Sequence, residues 1–547
     1  LHTSMTRRPN VIDVDVRGDL RSPTPSRPRR SHGPWWLWVP ALAILLVVAA
    51  PVASLLLRAI DASDSAWQTH MTIRTLELLV RTLFITLAVT ATSTIIGVAG
   101  AWLLARTDLR FRRTWSAVFA LPLGIPSYVV AMVLISAAGP RGLIADLTGL
   151  GLPTLVGFAG AWLALTISTY PYVFLVTSAA LQRVDPALEE AARGLGASPA
   201  RVFRTVILPQ LRPAIGAGAL LAALYTLSDF GAVSLMRFDV FTRVIYAQYS
   251  GRLDRTPAVV LSIVLILAAL IVIWAEQRTR GKGAYFSSKP SRPPVPYRLS
   301  GVKRFVSLVF LATVVVVSVV LPIGVLAGWI VRGVQAGVDV SIPWSALAGS
   351  LTGATLAALV AVAASVPIVV LAVRYTSRAT TLLERSVYVT FSLPHITVAI
   401  AVVAFTVRYA RPLYQSIAVL VLVYASMFLA QATGTAKAAL LQVDPALDEA
   451  SRGLGKSHLA TLVRITVPLM SRGLIAGGLL VFITTLKELP ATLLLRPSGF
   501  TTLSVRIWSS ADELLYTRAA ASALLLIAVS AVPVYYLSIK PRDVVKP

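Results

Sequence analysis

Val184-Asp185-Pro186-Ala187-Leu188-Glu189-Glu190-Ala191-Ala192-Arg193-Gly194-Leu195-Gly196 recurs 259 residues later as Val443-Asp444-Pro445-Ala446-Leu447-Asp448-Glu449-Ala450-Ser451-Arg452-Gly453-Leu454-Gly455. The copies differ only at Glu189/Asp448 and Ala192/Ser451, and each runs on at the same spacing to a proline, Pro209 or Pro468. Polar connections normally tolerate change better than the elements they join. Two connections held this alike imply that both engage the same kind of partner. Asp185-Pro186 and Asp444-Pro445 place an aspartate at a helix N-cap and a proline at the first helical position. Acidic residues follow near the positive end of the helix dipole. Gly-Leu-Gly then ends the short helix, and a second, basic helix leads on. The expectation is a helical elbow, made twice, with small residues on its surface that let a partner's backbone come close.

The surroundings of both elbows are apolar. The 547-residue chain is 56% hydrophobic and 14% charged, against roughly 25% charged in soluble domains, and its mean hydropathy is +0.76. Apolar stretches of about 20 residues, enough to cross ~30 Å of hydrocarbon, recur at 35–57, 76–105, 115–138, 154–181, 213–235 and 256–275. A second set lies at 305–331, 348–373, 386–407, 413–436, 473–495 and 517–539. The expected division is a disordered basic cytoplasmic tail (1–34), a first transmembrane domain (35–276), a cytoplasmic linker (277–304), a second transmembrane domain (305–539) and a cytoplasmic tail (540–547). Open sheets cannot be satisfied in lipid, so the spans are helices. The fold class is all-α integral membrane, with about 12 transmembrane helices. Six spans per half give both halves the same topology, hence parallel repeats related by a pseudo-twofold axis along the membrane normal. Pro122, Pro126, Pro171 and Pro394 predict kinks.

The net charge of +26 follows the positive-inside pattern rather than that of a nucleic-acid binder. Arg7, Arg8, Arg17, Arg21, Arg27, Arg29 and Arg30 place the tail inside, as do Arg106, Arg110, Arg112 and Arg113 for the next turn. Arg278, Arg280, Lys282, Arg374, Arg378, Arg385 and Lys540 agree, whereas Arg237, Arg243, Arg252 and Arg255 are exceptions. Loops near Asp61, Asp146 and Asp512 fall outside. Both termini and both elbows are therefore expected in the cytoplasm. The first apolar segment follows a long Arg/Pro/Ser tail and reads as a retained span. Cysteine is absent and the five histidines are scattered, which leaves no thiol chemistry and argues against a His-rich metal site. Ala450-Ser451-Arg452-Gly453-Leu454-Gly455-Lys456-Ser457 fits a permissive phosphate-loop pattern. Such a loop needs a preceding strand, and here a membrane helix and a polar turn precede it.

The residues at this point resemble a known family. Glu190-Ala191-Ala192, Gly196, Val206 and Leu208-Pro209, repeated as Glu449-Ala450-Ser451, Gly455, Ile465 and Val467-Pro468, are similar to the EAA signature of permease subunits of binding-protein-dependent ABC importers. The likeness covers nearly the whole chain after the tail. It implies that each elbow seats in a groove of a separate cytoplasmic ATPase subunit, one per elbow. Glu190 and Glu449 would anchor the contact, with Ala191, Gly194, Gly196, Ala450, Gly453 and Gly455 as its close-approach surface. ATP and Mg would be bound by those subunits, with no cofactor in this chain. The other implied partners are an external substrate-binding protein and the lipid bilayer, and the implied location is the bacterial inner membrane.

The repeat offset also aligns Asp229 with Glu488 and Ser228 with Lys487, toward the outer end of the fifth spans. Charges at depth are costly unless they face a wet interior or a partner. One reading is an acidic pair steering or gating a cationic cargo. The other is a structural contact between the halves, with Lys487 as the ion-pair partner, or at the aqueous mouth. Glu77 reads as interfacial and His395, after Pro394, as a satisfied polar residue. Fused double-length permeases of this kind are similar to ferric-iron and thiamine importers. Ser228–Ser234, Phe241–Tyr246 and Leu486–Pro497 look more like the ferric group, with thiamine, phosphonate or another small solute as alternatives. An ion-driven secondary transporter should bury ionisable relay groups mid-span, and the spans here are nearly charge-free. A membrane enzyme lacks a convergent catalytic constellation. A scaffold role would leave Asp229 and Glu488 unexplained.

Overall fold

A computed structural model describes residues 33–60, 72–139, 142–149, 151, 153–182, 184–251, 255–279, 296–375, 377–391 and 393–539. Residues 1–32 of the expected tail, residues 280–295 of the linker, the 540–547 segment, Asp61 and Arg252 lie outside the described residues. Nine described helices are long and apolar enough to cross a membrane, and three bent pairs bring the count to 12 if each pair is one crossing. The chain is an all-α membrane protein, as its apolar periodicity implies.

The third span of each half differs from the expected kinked helix. Arg112–Gly124 meets Ser127–Ala137 at 93°, and Arg378–Phe391 meets His395–Tyr409 at 104°. Pro126 and Pro394 sit at the breaks with ψ of 146° and 129°. A proline disfavours the α conformation in the residue before it, and its missing N–H removes a ladder bond. The fifth spans also stop early. Their helices end at Ser228 and Leu486, and short helices Gly231–Leu235 and Pro490–Leu495 follow. Helix Thr256–Thr279 runs past position 276, and the next helix starts at Gly301.

The first span of each half packs on the other half. Trp35–Ile60 lies along Trp344–Arg374 and His395–Tyr409, while Leu321–Gln335 lies against Ser127–Ala137. Close helix crossings repeat at the 259-residue offset. A Cβ on Gly218 would lie 2.8 Å from Val173 Cα, and one on Gly477 would lie 2.8 Å from Ala432 Cα. Small residues let membrane helices approach in this way. A π turn follows each elbow, at Phe203–Ile207 and Leu462–Thr466, just ahead of Pro209 and Pro468.

Candidate functional site

The elbows form as their sequence chemistry requires. Asp185 Oδ1 accepts from Ala187 N at 3.0 Å and Asp444 Oδ1 from Ala446 N at 2.9 Å. Helices Pro186–Gly194 and Pro445–Gly453 follow. Gly196 and Gly455 both close them at φ +79°, the left-handed position glycine occupies without steric cost. Ala197 N donates to Ala192 O at 3.1 Å and Lys456 N to Ser451 O at 3.2 Å, completing the same cap twice.

Each elbow is pinned to its bundle by an arginine at the end of the second span. Arg106 Nη2 lies 3.0 Å from Glu189 Oε1 and donates to Leu181 O at 2.8 Å. Arg374 Nε lies 3.0 Å from Asp448 Oδ2, and its Nη2 donates to Val443 O at 3.1 Å. Burial pushes the Glu189 carboxyl above its ordinary range, partly opposed by Arg106 and Arg193. Sequence reasoning used Arg106 and Arg374 only as markers of the inner side and gave Glu189 and Asp448 no partner. The elbow itself shows only that Glu189 and Glu190 point about 100° apart on a helix, not which arginine the inward one meets.

All eight residues expected to meet a partner are exposed: Glu190, Ala191, Gly194, Gly196, Glu449, Ala450, Gly453 and Gly455. Leu195 and Leu454 beside them are 89% and 83% exposed, apolar surface of the kind that marks an interaction site. The only two positions at which the copies differ turn inward. Glu189 and Asp448 make the pins; Ala192 packs in the apolar cluster beneath the first elbow, and Ser451 is buried with its hydroxyl 2.9 Å from that of Thr461. Lys456-Ser457 belongs to a helix–turn–helix, with Ser457 capping His458–Thr461 by accepting from Ala460 N at 3.2 Å.

A cavity of about 110 Å³, the size of a small solute, lies between the halves. Tyr128, Tyr172, Tyr225, Ser228 and Asp229 line it from the first half; His395, Gln431, Thr484, Lys487 and Glu488 line it from the second. All four expected path residues are thus brought together. Asp229 and Glu488 stand just past the ends of the fifth-span helices and cap the short helices that follow. Asp229 Oδ1 accepts from Ala232 N at 2.9 Å and Glu488 Oε1 from Ala491 N at 3.1 Å. Ser127 Oγ donates to Asp229 Oδ2, and His395 Nδ1 lies 2.8 Å from Glu488 Oε2. Ser127 and His395 are equivalent, each opening the helix after its proline break. His395 is a satisfied polar residue, with Phe428 edge-on at 5.4 Å. Among the described residues Lys487 makes no ion pair across the halves: its Nζ donates to Leu123 O of the first half at 2.5 Å. Among the described residues no three His, Asp or Glu side chains converge to hold a metal ion.

Over 515 residues the chain is 32% identical to the Fe(3+)-transport system permease protein FbpB 2 of Haemophilus influenzae, covering 93% of this chain and 99% of that protein. It is 31% identical over 256 residues to the molybdenum transport system permease protein ModB of Mycobacterium tuberculosis, covering 45% of this chain and 95% of the relative. A probable sulfate transport system permease protein, cysT of Chlorokybus atmophyticus, is 29% identical over 248 residues, 44% of this chain and 86% of the relative. Relatives of half the length show that one half here corresponds to a whole permease, so the chain is a fused double-length form. Residues 93–277 and 365–539 each match the binding-protein-dependent transport system inner membrane component, and with two copies of its domain the chain belongs to that family of multi-pass permeases.

Proposed function

We propose that this chain is the membrane permease of an ATP-driven importer, with both elbows and both termini in the cytoplasm. Each elbow receives one separate ATPase subunit. The observation that carries this reading is the orientation of the repeat: the identical pairs Ala187/Ala446, Leu188/Leu447, Glu190/Glu449, Ala191/Ala450, Gly194/Gly453, Leu195/Leu454 and Gly196/Gly455 are exposed in both copies, while both differing pairs face inward. An outward surface held identical in two places fits two copies of one partner. Exposed Leu195 and Leu454 supply apolar anchors, and Gly194 and Gly453 leave open space where a Cβ would stand. A loaded binding protein docks at the opposite end. ATP-driven approach of the ATPases moves the elbows together, and the halves rock about the central cavity to give alternating access. ATP and Mg reside on the partner subunits.

The cargo this reading favours is ferric iron, because the relative that spans almost the full chain is an Fe(3+) permease. An oxyanion is the second reading, favoured by the half-length molybdenum and sulfate permeases and by the lysine in the cavity. The decisive experiment is Glu190→Lys combined with Glu449→Lys, assayed for ATP-driven uptake by the complex and for solute-stimulated ATPase activity. Both exposed carboxylates lie on the elbow surfaces, so both activities should be lost while the permease still folds. Normal uptake with normal coupling would sink the reading.

A further inference from the structure

We propose that cargo crosses the central cavity as an anion, or as a metal ion accompanied by anions, with Lys487 as the specificity-determining charge and Asp229 and Glu488 as helix caps. The inference rests on the permease reading above and concerns what the path itself recognises.

The two carboxylates are poorly placed to receive a bare cation. Asp229 spends Oδ1 on Ala232 N and, at 3.4 Å, Val233 N, and Oδ2 on Ser127. Glu488 spends Oε1 on Ala491 N and Oε2 on His395. Both are buried, at 8% and 5% exposure. A carboxylate that accepts at both oxygens in this way is stabilised as a cap, and a cation would have to share those oxygens with the start of the next helix. The same geometry in both halves makes it a property of the repeat.

Lys487 is placed differently. It lines the cavity half-buried, and among the described residues its one hydrogen-bond partner is the neutral carbonyl of Leu123. An ammonium has three donors, so two remain for the cavity. A carbonyl does not neutralise the charge, and the two carboxylates that share the cavity are engaged as caps rather than paired with it, so the ammonium lacks a direct counter-charge at a depth where charge is costly. An anionic cargo supplies the missing counter-charge. The pseudo-twofold mate is Ser228, so the cation stands on one side only. Thr484 Oγ1 lies 3.2 Å from Gln431 Oε1, which leaves the Gln431 amide nitrogen as a further donor near the cavity. Because Lys487 also bridges to the other half, parting of the halves frees the ammonium when the path opens.

The test uses the complex purified with its own ATPase and binding protein in lipid vesicles. ATP-driven uptake is followed with radiolabelled ferric citrate in one arm and molybdate in the other, which separates a chelated metal from a free oxyanion. Lys487→Met should lower uptake of the carried solute about tenfold or more, as expected for removing one partner of a buried charge pair. Lys487→Arg keeps the charge, and Asp229→Asn with Glu488→Gln keeps a capping oxygen; both should stay within about threefold of wild type. Should Lys487→Met fail to fold, Ser228→Lys with Lys487→Ser carries the charge to the mate position, and its uptake should exceed that of Ser228→Ala with Lys487→Ser. Loss of uptake in the Asn/Gln double variant with retention in Lys487→Met would overturn the proposal and favour a bare cation. Wild-type complex that carries neither probe, with no ATPase copurifying, would instead overturn the importer reading itself.

Discussion

The two elbows present one surface and are braced by two different sets of residues. Beneath the first, Glu189 and Arg106 are almost sealed, with side chains 5% and 1% exposed. Tyr297, from the chain between the halves, brings its hydroxyl to 3.5 Å from Glu189 Oε2, and the Arg193 guanidinium lies 4.0 Å over the Tyr297 ring. Tyr297 is held there by backbone bonds to Arg106 and Asp108. Beneath the second elbow, Asp448 and Arg374 are 15% and 13% exposed. The shorter carboxylate is met by Thr466, whose hydroxyl donates to Asp448 Oδ1 at 2.9 Å from the π turn of the same half. Ser451 and Thr461 are linked by their hydroxyls where the first half has apolar Ala192 and Val202. Duplication has thus left the outward face fixed and let the bracing diverge in coordinated pairs. A face under no demand would have drifted at least as fast as the buried braces.

The largest difference should appear when the braces are cut. Glu189→Ala strands a sealed Arg106, so it should cost about 3–5 kcal/mol, the range for breaking a buried ion pair. Asp448→Ala leaves Arg374 with more access to water and with the Val443 carbonyl, and should cost less, about 1–3 kcal/mol. Unfolding midpoints of the purified chain in detergent give the order. Equal losses would mean that the two braces, despite their different burial, do the same work. A smaller and symmetrical effect is expected at the turns. Gly196→Ala and Gly455→Ala should each cost about 1 kcal/mol, because a Cβ is strained at φ +79°. Open space surrounds both positions, so no clash adds to either. A cost that differs between the halves would break the equivalence of the caps.

Much of this was legible in the residues. Asp-Pro starts and Gly stops specify the elbows locally, and apolar length specifies the crossings. The breaks at Pro126 and Pro394 were read as kinks because hydrophobicity runs on across them: a bent helix buries the same residues as a straight one. Asp229 and Glu488 line the cavity, and that they cap helices became visible only with the helix ends at Ser228 and Leu486. A carboxylate three residues ahead of Ala232 or Ala491 is a cap spacing, yet inside an apolar run it carries no mark of a helix end. The Arg106 and Arg374 braces were out of reach, since each arginine meets its carboxylate across a span-to-span separation that no local pattern encodes.

The smallest expected effect isolates the first brace by pH. Burial raises the Glu189 carboxyl above its ordinary value of 4.5, so in the window just above that value the folded chain holds a proton that the unfolded chain has released. Stability rises with pH only where the unfolded state binds more protons; here the folded state does. The contribution is therefore complete below the ordinary glutamate range and is lost as pH rises through the raised value. Arg106 and Arg193 oppose the shift, which keeps the slope shallow. Glu189→Gln cannot titrate and should remove that slope, so the stability of wild type relative to this variant should fall as pH increases from 4.5. A slope that survives Glu189→Gln would take the titration away from the first brace, and with it the inference that the Glu189 carboxyl is sealed beneath the first elbow.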